Sequence, residues 1–159
     1  YKVALINENM TRLGQDNMVV QVHDALCLDQ DFIEKADVVI ADLPCSGLGV
    51  IGKKPDIKYR IQPESLASLA KLQKQILDVV TQYVKPGGTL VYSTCTMNRD
   101  ENEANMQYLM KELGFVADGL EEHLPNNLHN EDTRKGYLRL QPQIHGSDGF
   151  FITRLVKKG

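Results

Sequence analysis

The stretch VVIADLPCSG, from Val38 to Gly47, carries four apolar residues into an acid, a proline and a thiol, leaving Asp42 and Cys45 three residues apart. A second polar group, Ser93 to Thr96 (STCT), follows another apolar run, and a third, His23-Asp24, follows a valine-rich segment. In open α/β sheets ligands gather beyond the carboxyl ends of the strands, so three such endings form a site-like distribution. A thiol there offers nucleophilic or redox chemistry, against the plain alternative that a free cysteine is a small buried hydrophobe. The cysteines Cys27, Cys45 and Cys95 are odd in number and make neither a CxxC nor a zinc-finger spacing. A disulfide scaffold and a structural zinc site are therefore not expected; free thiols in a reducing, cytoplasmic compartment are. His23 and His145 belong to no cluster with ligand spacing, so no metal is expected.

The elements that must position these groups alternate. Val3, Leu5, Ile6, Met10 and Leu13 recur at helical spacing, with Gly14 placed as a C-cap. Asn17 to Asp24 reads as a strand from its valines. Ala36 to Pro44 is a continuous apolar run, the pattern of a parallel strand buried on both faces. A helix opens at Pro63, keeps Leu66, Leu69, Leu72, Ile76, Leu77 and Val80 on one side, and stops at Pro86-Gly87-Gly88. Thr89 to Cys95 is the next strand, and Asn98 to Phe115 is again helical, with Gly114 as its cap. Short strands are predicted at residues 114–116, 137–140 and 149–156, around a polar loop, LPNNLHNEDTRKG. This order predicts an α/β, mostly parallel sheet with an antiparallel ending. A right-handed crossover through the Pro63 helix makes the two long strands parallel and adjacent, so Cys45 and Cys95 project over one edge. Pro44, with no amide hydrogen and a fixed φ, ends strand pairing; Gly47 and Gly49 let the next loop bend closely around a ligand.

The chain has 159 residues, enough for one domain with a real core, and a net charge of −3, which argues against nucleic-acid binding by bulk charge alone. Local charge differs: GKKPDIKYR places Lys53, Lys54, Lys58 and Arg60 in one short stretch. No apolar run approaches the roughly 20 residues that cross a bilayer. The first segment already reads as a helix whose preceding strand is absent, as in a piece of a longer protein.

Three segments, ADLPCSGLGVIGKKPDIKYR, LQKQILDVVTQYVKPGGTLVYSTCTMNRDENE and HGSDGFFITRLVKK, resemble the Sun-type branch of the RNA cytosine-5 methyltransferases, bacterial ribosomal RNA enzymes related to the nucleolar Nop2 proteins. The resemblance spans nearly the whole chain. It implies a Rossmann-like class I methyltransferase fold truncated at the amino end, so that residues 1–159 form a partial catalytic domain lacking the first strand and the glycine-rich cofactor loop. S-adenosylmethionine is the implied methyl donor, and RNA, in particular 16S ribosomal RNA, the implied partner.

On the same resemblance Cys95 is the nucleophile, adding to carbon 6 of cytosine so that carbon 5 can attack the donor's methyl group. Cys45 assists product release, and Asp42 holds the N3 and N4 edge of the base. Asp24, Ala25, Asp42 and Pro44 lie along the cofactor edge. Lys53, Lys54 and Lys58 meet RNA phosphate beside a cytosine that is single-stranded or flipped out. Phe150 and Phe151 are read as core residues of the last strand. Two other classes compete: a non-catalytic RNA-binding or ribosome-assembly module that keeps the fold, and a thiol-redox protein using Cys45 and Cys95.

Overall fold

A computed structural model describes residues 1–159. In chain order its elements are α1 (Lys2–Leu13), β1 (Ala36–Asp42), α2 (Ile57–Arg60), α3 (Pro63–Val80), β2 (Val84–Thr94), α4 (Glu103–Glu112), β3 (Phe115–Ala117), α5 (Glu131–Arg134), β4 (Tyr137–Leu140), α6 (Pro142–His145) and β5 (Phe150–Lys157). The five strands form one mixed sheet in the order β1-β2-β5-β3, with β4 also paired to β5. β1 and β2 are parallel, whereas β5 is antiparallel to β2, β3 and β4. Four strands thus run one way and β5 alone opposes them, the expected parallel sheet with its antiparallel ending. The last strand inserts beside β2, and the short β3 and β4 share its far edge.

Local sequence explains most boundaries. Gly14 takes the left-handed conformation that ends α1, and its N–H reaches Met10 and Thr11 carbonyls. Pro63 opens α3, where its missing N–H costs nothing, and the Ser65 hydroxyl accepts the Gln62 N–H at 3.1 Å. The core joins Ile76 and Leu77 of α3, Met106 and Leu109 of α4, Leu90 and Tyr92 of β2, and Phe151 and Leu155 of β5. Phe151 is fully buried, and its ring meets Tyr92 edge-on and stacks on Tyr137 with centroids 5.5 Å apart.

Four expectations need correction. Residues 17–24 form no strand, and Val19 and Val22 are 93% and 89% exposed. β-propensity is local, but a strand exists only through a ladder partner, and none pairs with this segment. β1 is not buried on both faces. Val39 and Ala41 meet the core on the side crossed by α3, while Val38 and Ile40 are 56% and 73% exposed at the sheet edge. α3 ends at Val80 and β2 starts at Val84, upstream of Pro86-Gly87-Gly88. The Thr81 hydroxyl donates to the Leu77 carbonyl at 2.7 Å, a short 3-10 turn follows, and the Pro-Gly-Gly segment is absorbed as an irregularity where Ala36 pairs with Val84 and Val38 with Thr89. Finally, α4 starts at Glu103 rather than Asn98, and the polar loop contains the single turn α5, capped by the Asn130 side chain.

Candidate active site

The parallel pairing of β1 and β2 ends with Asp42 opposite Ser93, and the Ser93 hydroxyl donates to Asp42 Oδ1 at 3.2 Å. The Leu43 N–H continues the ladder one step further, to the Ser93 carbonyl at 3.4 Å. Pro44, lacking an N–H, then turns the chain away, and Cys45 and Cys95 emerge side by side. Their Sγ atoms lie 3.1 Å apart. The crossover reading therefore holds to atomic contact, and both sulfurs are half-buried rather than sealed in the core.

Burial pushes the Cys45 thiol up to about 12 from its ordinary value of 9.0, with the hydrogen bond to Cys95 as the next cause. Cys45 thus holds its proton more tightly than an ordinary thiol, and in the contact between the two sulfurs either can donate. Backbone N–H groups of Gly47 and Cys95 approach the same sulfur and favour its charged form, without overcoming the burial.

Of the glycines after Cys45, Gly47 turns the chain in the left-handed region against the Ile57 and Val50 side chains, and Gly49 brings backbone against backbone rather than close to a ligand. Gly49 donates to the Cys95 carbonyl at 3.0 Å and accepts from the Gly149 N–H at 2.7 Å. A Cβ on Gly49 would lie 2.1 Å from the Gly149 oxygen and 2.8 Å from the Cys95 oxygen, so no other residue fits. This pins the Cys45 loop to the end of β2 and to the start of β5.

Behind the sulfurs lies a buried polar cluster that sequence reading missed. Glu101 is fully buried; its Oε2 accepts the Ser46 N–H and the Gln73 amide, each at 2.9 Å, and its Oε1 accepts from Asn98 at 3.0 Å. The same Gln73 amide reaches the Pro44 carbonyl at 2.9 Å, and the Gln73 oxygen accepts from Asn105 at 2.8 Å. Asn102 accepts from the Thr94 hydroxyl at 2.6 Å and donates to the Thr96 carbonyl at 3.0 Å. The Ser46 and Thr96 hydroxyls meet at 2.6 Å, joining the two loops. The signal available in sequence was polar residues on core-facing positions: Gln73 lies on the α3 face that buries Ile76 and Leu77.

The remaining expected site residues are more scattered. Asp42 and Pro44 are exposed beside the cysteines. Asp24 and Ala25 are exposed in the irregular segment, and the Asp24 carboxylate accepts the Leu26 N–H at 3.0 Å, closing its own turn. Since residues 17–24 are not a strand, Asp24 is not carried at a strand end as expected. Lys53, Lys54 and Lys58 are all exposed in the loop after Cys45. Lys53 is paired to Asp148 at 2.7 Å, Lys58 lies over the Tyr59 ring, and the Lys54 side chain is free of partners. No helix is long and apolar enough to cross a membrane.

Comparison with known proteins agrees with this arrangement. A family model described as 16S rRNA methyltransferase RsmB/F matches residues 1–156. The probable ribosomal RNA small subunit methyltransferase B of Bacillus subtilis is 42% identical over 162 residues, covering 100% of this chain and 36% of that protein. The ribosomal RNA small subunit methyltransferase F of Escherichia fergusonii is 35% identical, covering 98% of this chain and 33% of its own length. This chain thus spans about a third of these relatives. The crystal structure of NSun6 from Pyrococcus horikoshii with SFG superposes with a TM-score of 0.76 at 26% identity, over 97% of this chain and 38% of that one. With a family match over nearly its whole length and strand-end cysteines in contact, the chain belongs to the 16S rRNA methyltransferase RsmB/F family.

Proposed function

We propose that this chain is the catalytic part of an RNA (cytosine-5)-methyltransferase acting on small-subunit ribosomal RNA through a covalent cysteine adduct. The contact of two free sulfurs at the ends of adjacent parallel strands carries the reading. Carbon 5 of cytosine is a poor nucleophile. Addition of the Cys95 sulfur to carbon 6 makes the ring an enamine and divides one hard step into easier ones. Asp42, exposed at the end of β1 and bonded by the Ser93 hydroxyl, hydrogen-bonds the N3 and N4 edge of the base in this reading.

After methylation, the carbon 5 proton must leave before the carbon 6–sulfur bond breaks with its electrons returning to sulfur. Cys45, in contact with that departing sulfur at 3.1 Å and with its proton held by burial, acts as the hydrogen-bond donor as the bond breaks. This gives its part in release a direction: it stabilises the Cys95 leaving group, while the carbon 5 proton passes to solvent.

S-adenosylmethionine, of which the SFG in the NSun6 structure is an analogue, supplies the electrophilic methyl when bound. Asp42 and Pro44, exposed beside the cysteines, fit as one wall of its site, and Asp24, whose second carboxylate oxygen is left free by its own turn, remains open to the adenine. Lys54 is the lysine of the 52–60 loop most available to phosphate.

The test is made in the intact parent protein with RNA and donor. Cys95→Ala should abolish methyl transfer, whereas Cys45→Ala should let a covalent protein–RNA adduct accumulate. Wild-type turnover by Cys95→Ala would overturn the reading. Donor binding by calorimetry, and loss of about one phosphate contact from the salt dependence in Lys54→Ala, check the two ligand surfaces separately.

A further inference from the structure

Glu101 and Asn102 are adjacent in sequence, yet their side chains diverge to different loops. Glu101 holds the residues on both sides of Cys45: the Ser46 N–H directly, and the Pro44 carbonyl through the Gln73 amide they share. Asn102 holds the residues on both sides of Cys95, accepting from the Thr94 hydroxyl and donating to the Thr96 carbonyl. Both side chains are buried, at 0% and 2% exposure, and no Lys or Arg pairs with Glu101. A buried carboxylate without a cation is expensive, and an apolar residue of similar volume would fill the space more cheaply. What an apolar residue could not do is gather three N–H groups from Ser46, Gln73 and Asn98, which belong to two loops and a helix.

We propose that Glu101 and Asn102 are a positioning pair, a two-armed brace that holds the Cys45 and Cys95 loops so that their sulfurs stay in contact. The proposal rests on the reading above that the two cysteines act together. Neither residue touches the reacting atoms; each acts through the backbone beside a cysteine. Reacting groups displaced by about 1 Å can lose about a hundredfold in rate, so a brace of this kind is felt at the sulfurs even though it lies behind them. Glutamine at position 101 keeps one oxygen for Ser46 and Gln73 but turns a donor toward Asn98, so the conservative variant should rescue most of the geometry.

Phenylarsine oxide reads sulfur juxtaposition without RNA or donor. It condenses with two thiols, forming two As–S bonds and releasing one water, and needs both sulfurs within its reach. In the intact parent protein carrying Cys27→Ser, with any cysteine outside residues 1–159 also replaced by serine so that Cys45 and Cys95 are the only thiols, capture is measured by the rate of thiol loss, with the melting temperature of each variant as the control for folding. Glu101→Ala and Asn102→Ala should capture the arsenical about tenfold more slowly, or worse, while Glu101→Gln stays within about threefold of the parent. Thr94→Val keeps the shape of Thr94 and removes one arm of Asn102, and should slow capture measurably. Parent-like capture by folded Glu101→Ala and Asn102→Ala overturns the brace; should either fail to fold, parent-like capture by Thr94→Val does so. Glu101→Gln as slow as Glu101→Ala also overturns it, placing the effect in the charge and not in the hydrogen bonds. If the parent captures the arsenical but does not methylate RNA, the proposed function fails and the brace is still decided by the variants. If the variants lose methyl transfer with capture unchanged, the brace fails and the function stands.

Discussion

The outer face of β1 and the interior behind the two cysteines invert the usual distribution of polarity. At the sheet edge Val38 and Ile40, like Val19 and Val22 in the preceding irregular segment, face solvent. Behind β2, Gln73, Thr94, Thr96, Glu101, Asn102 and Asn105 are buried. The interior is tolerable because nearly all of its polar groups answer one another: Glu101 receives three N–H bonds, Asn102 and Gln73 both donate and accept, and of these side chains only the Asn105 oxygen is left without a partner. The edge has no such answer, since an apolar strand face gains nothing until another surface covers it. Rigidity follows from this difference. Cys45 and Cys95 sit at the carboxyl ends of β1 and β2, but their placement is controlled from the hydrogen-bonded interior behind them.

That contrast can be broken at several points. Cys95→Ala should cut methyl transfer by about 10⁴-fold or more, as loss of a covalent nucleophile does, while leaving the melting temperature nearly unchanged because the sulfur is only half-buried. A large loss of stability instead would make Cys95 part of the core. Leu77→Ala, on the fully buried face of α3, should cost about 2–5 kcal/mol in urea unfolding. A cost below that range would mean that the interior behind β2 can collapse, against its role as the rigid half.

A smaller effect concerns pH. The Cys45 thiol titrates near 12 when folded and at about 9 in an ordinary setting, so below pH 9 both states carry the proton and its contribution is fully present. Between about 9 and 12 the unfolded chain loses the proton first, and stability falls as pH rises. Thermal melts across that window should therefore decline more steeply for the parent than for Cys45→Ser; parallel curves would show that the Cys95 contact and burial do not hold this proton. Smallest of all, Ile40→Thr on the exposed face of β1 should stay within about 0.5 kcal/mol. A loss of several kcal/mol would show that this face is covered in solution.

Much of the site was legible because it depends on chain order. The apolar run into Asp42, the Pro63 helix and the run into Ser93 together require a parallel pair, and a parallel pair brings Cys45 and Cys95 to one edge. Glu101 was not legible: within NRDENE it reads as one more acid at the start of a surface helix, and α4 begins only after it. Residues 98–102 leave the helix because their side chains bond one another, Asn98 with Glu101 and with the Asp100 N–H, and reach the strand-end loops, Glu101 at Ser46 and Asn102 at Thr94 and Thr96, the competition that takes Asn and Asp out of helices generally. The strand expected at residues 17–24 failed for the opposite reason, since its valines express a preference that no neighbour fulfils. Gly49 was singled out, but its reason changed from room for a ligand to contact with Gly149 and the Cys95 carbonyl.

The sequence by itself determined the alternation of helices and strands, the parallel core pair and the meeting of two thiols, because periodicity, caps and crossover handedness are local or depend only on chain order. The tertiary structure alone decided which faces are wet, which acid is buried, and how the loops carrying Cys45 and Cys95 are held. Burial and hydrogen-bond satisfaction are properties of residues brought together across 28 to 55 positions, as Glu101 is with Gln73 and Ser46, and no window of sequence contains both partners.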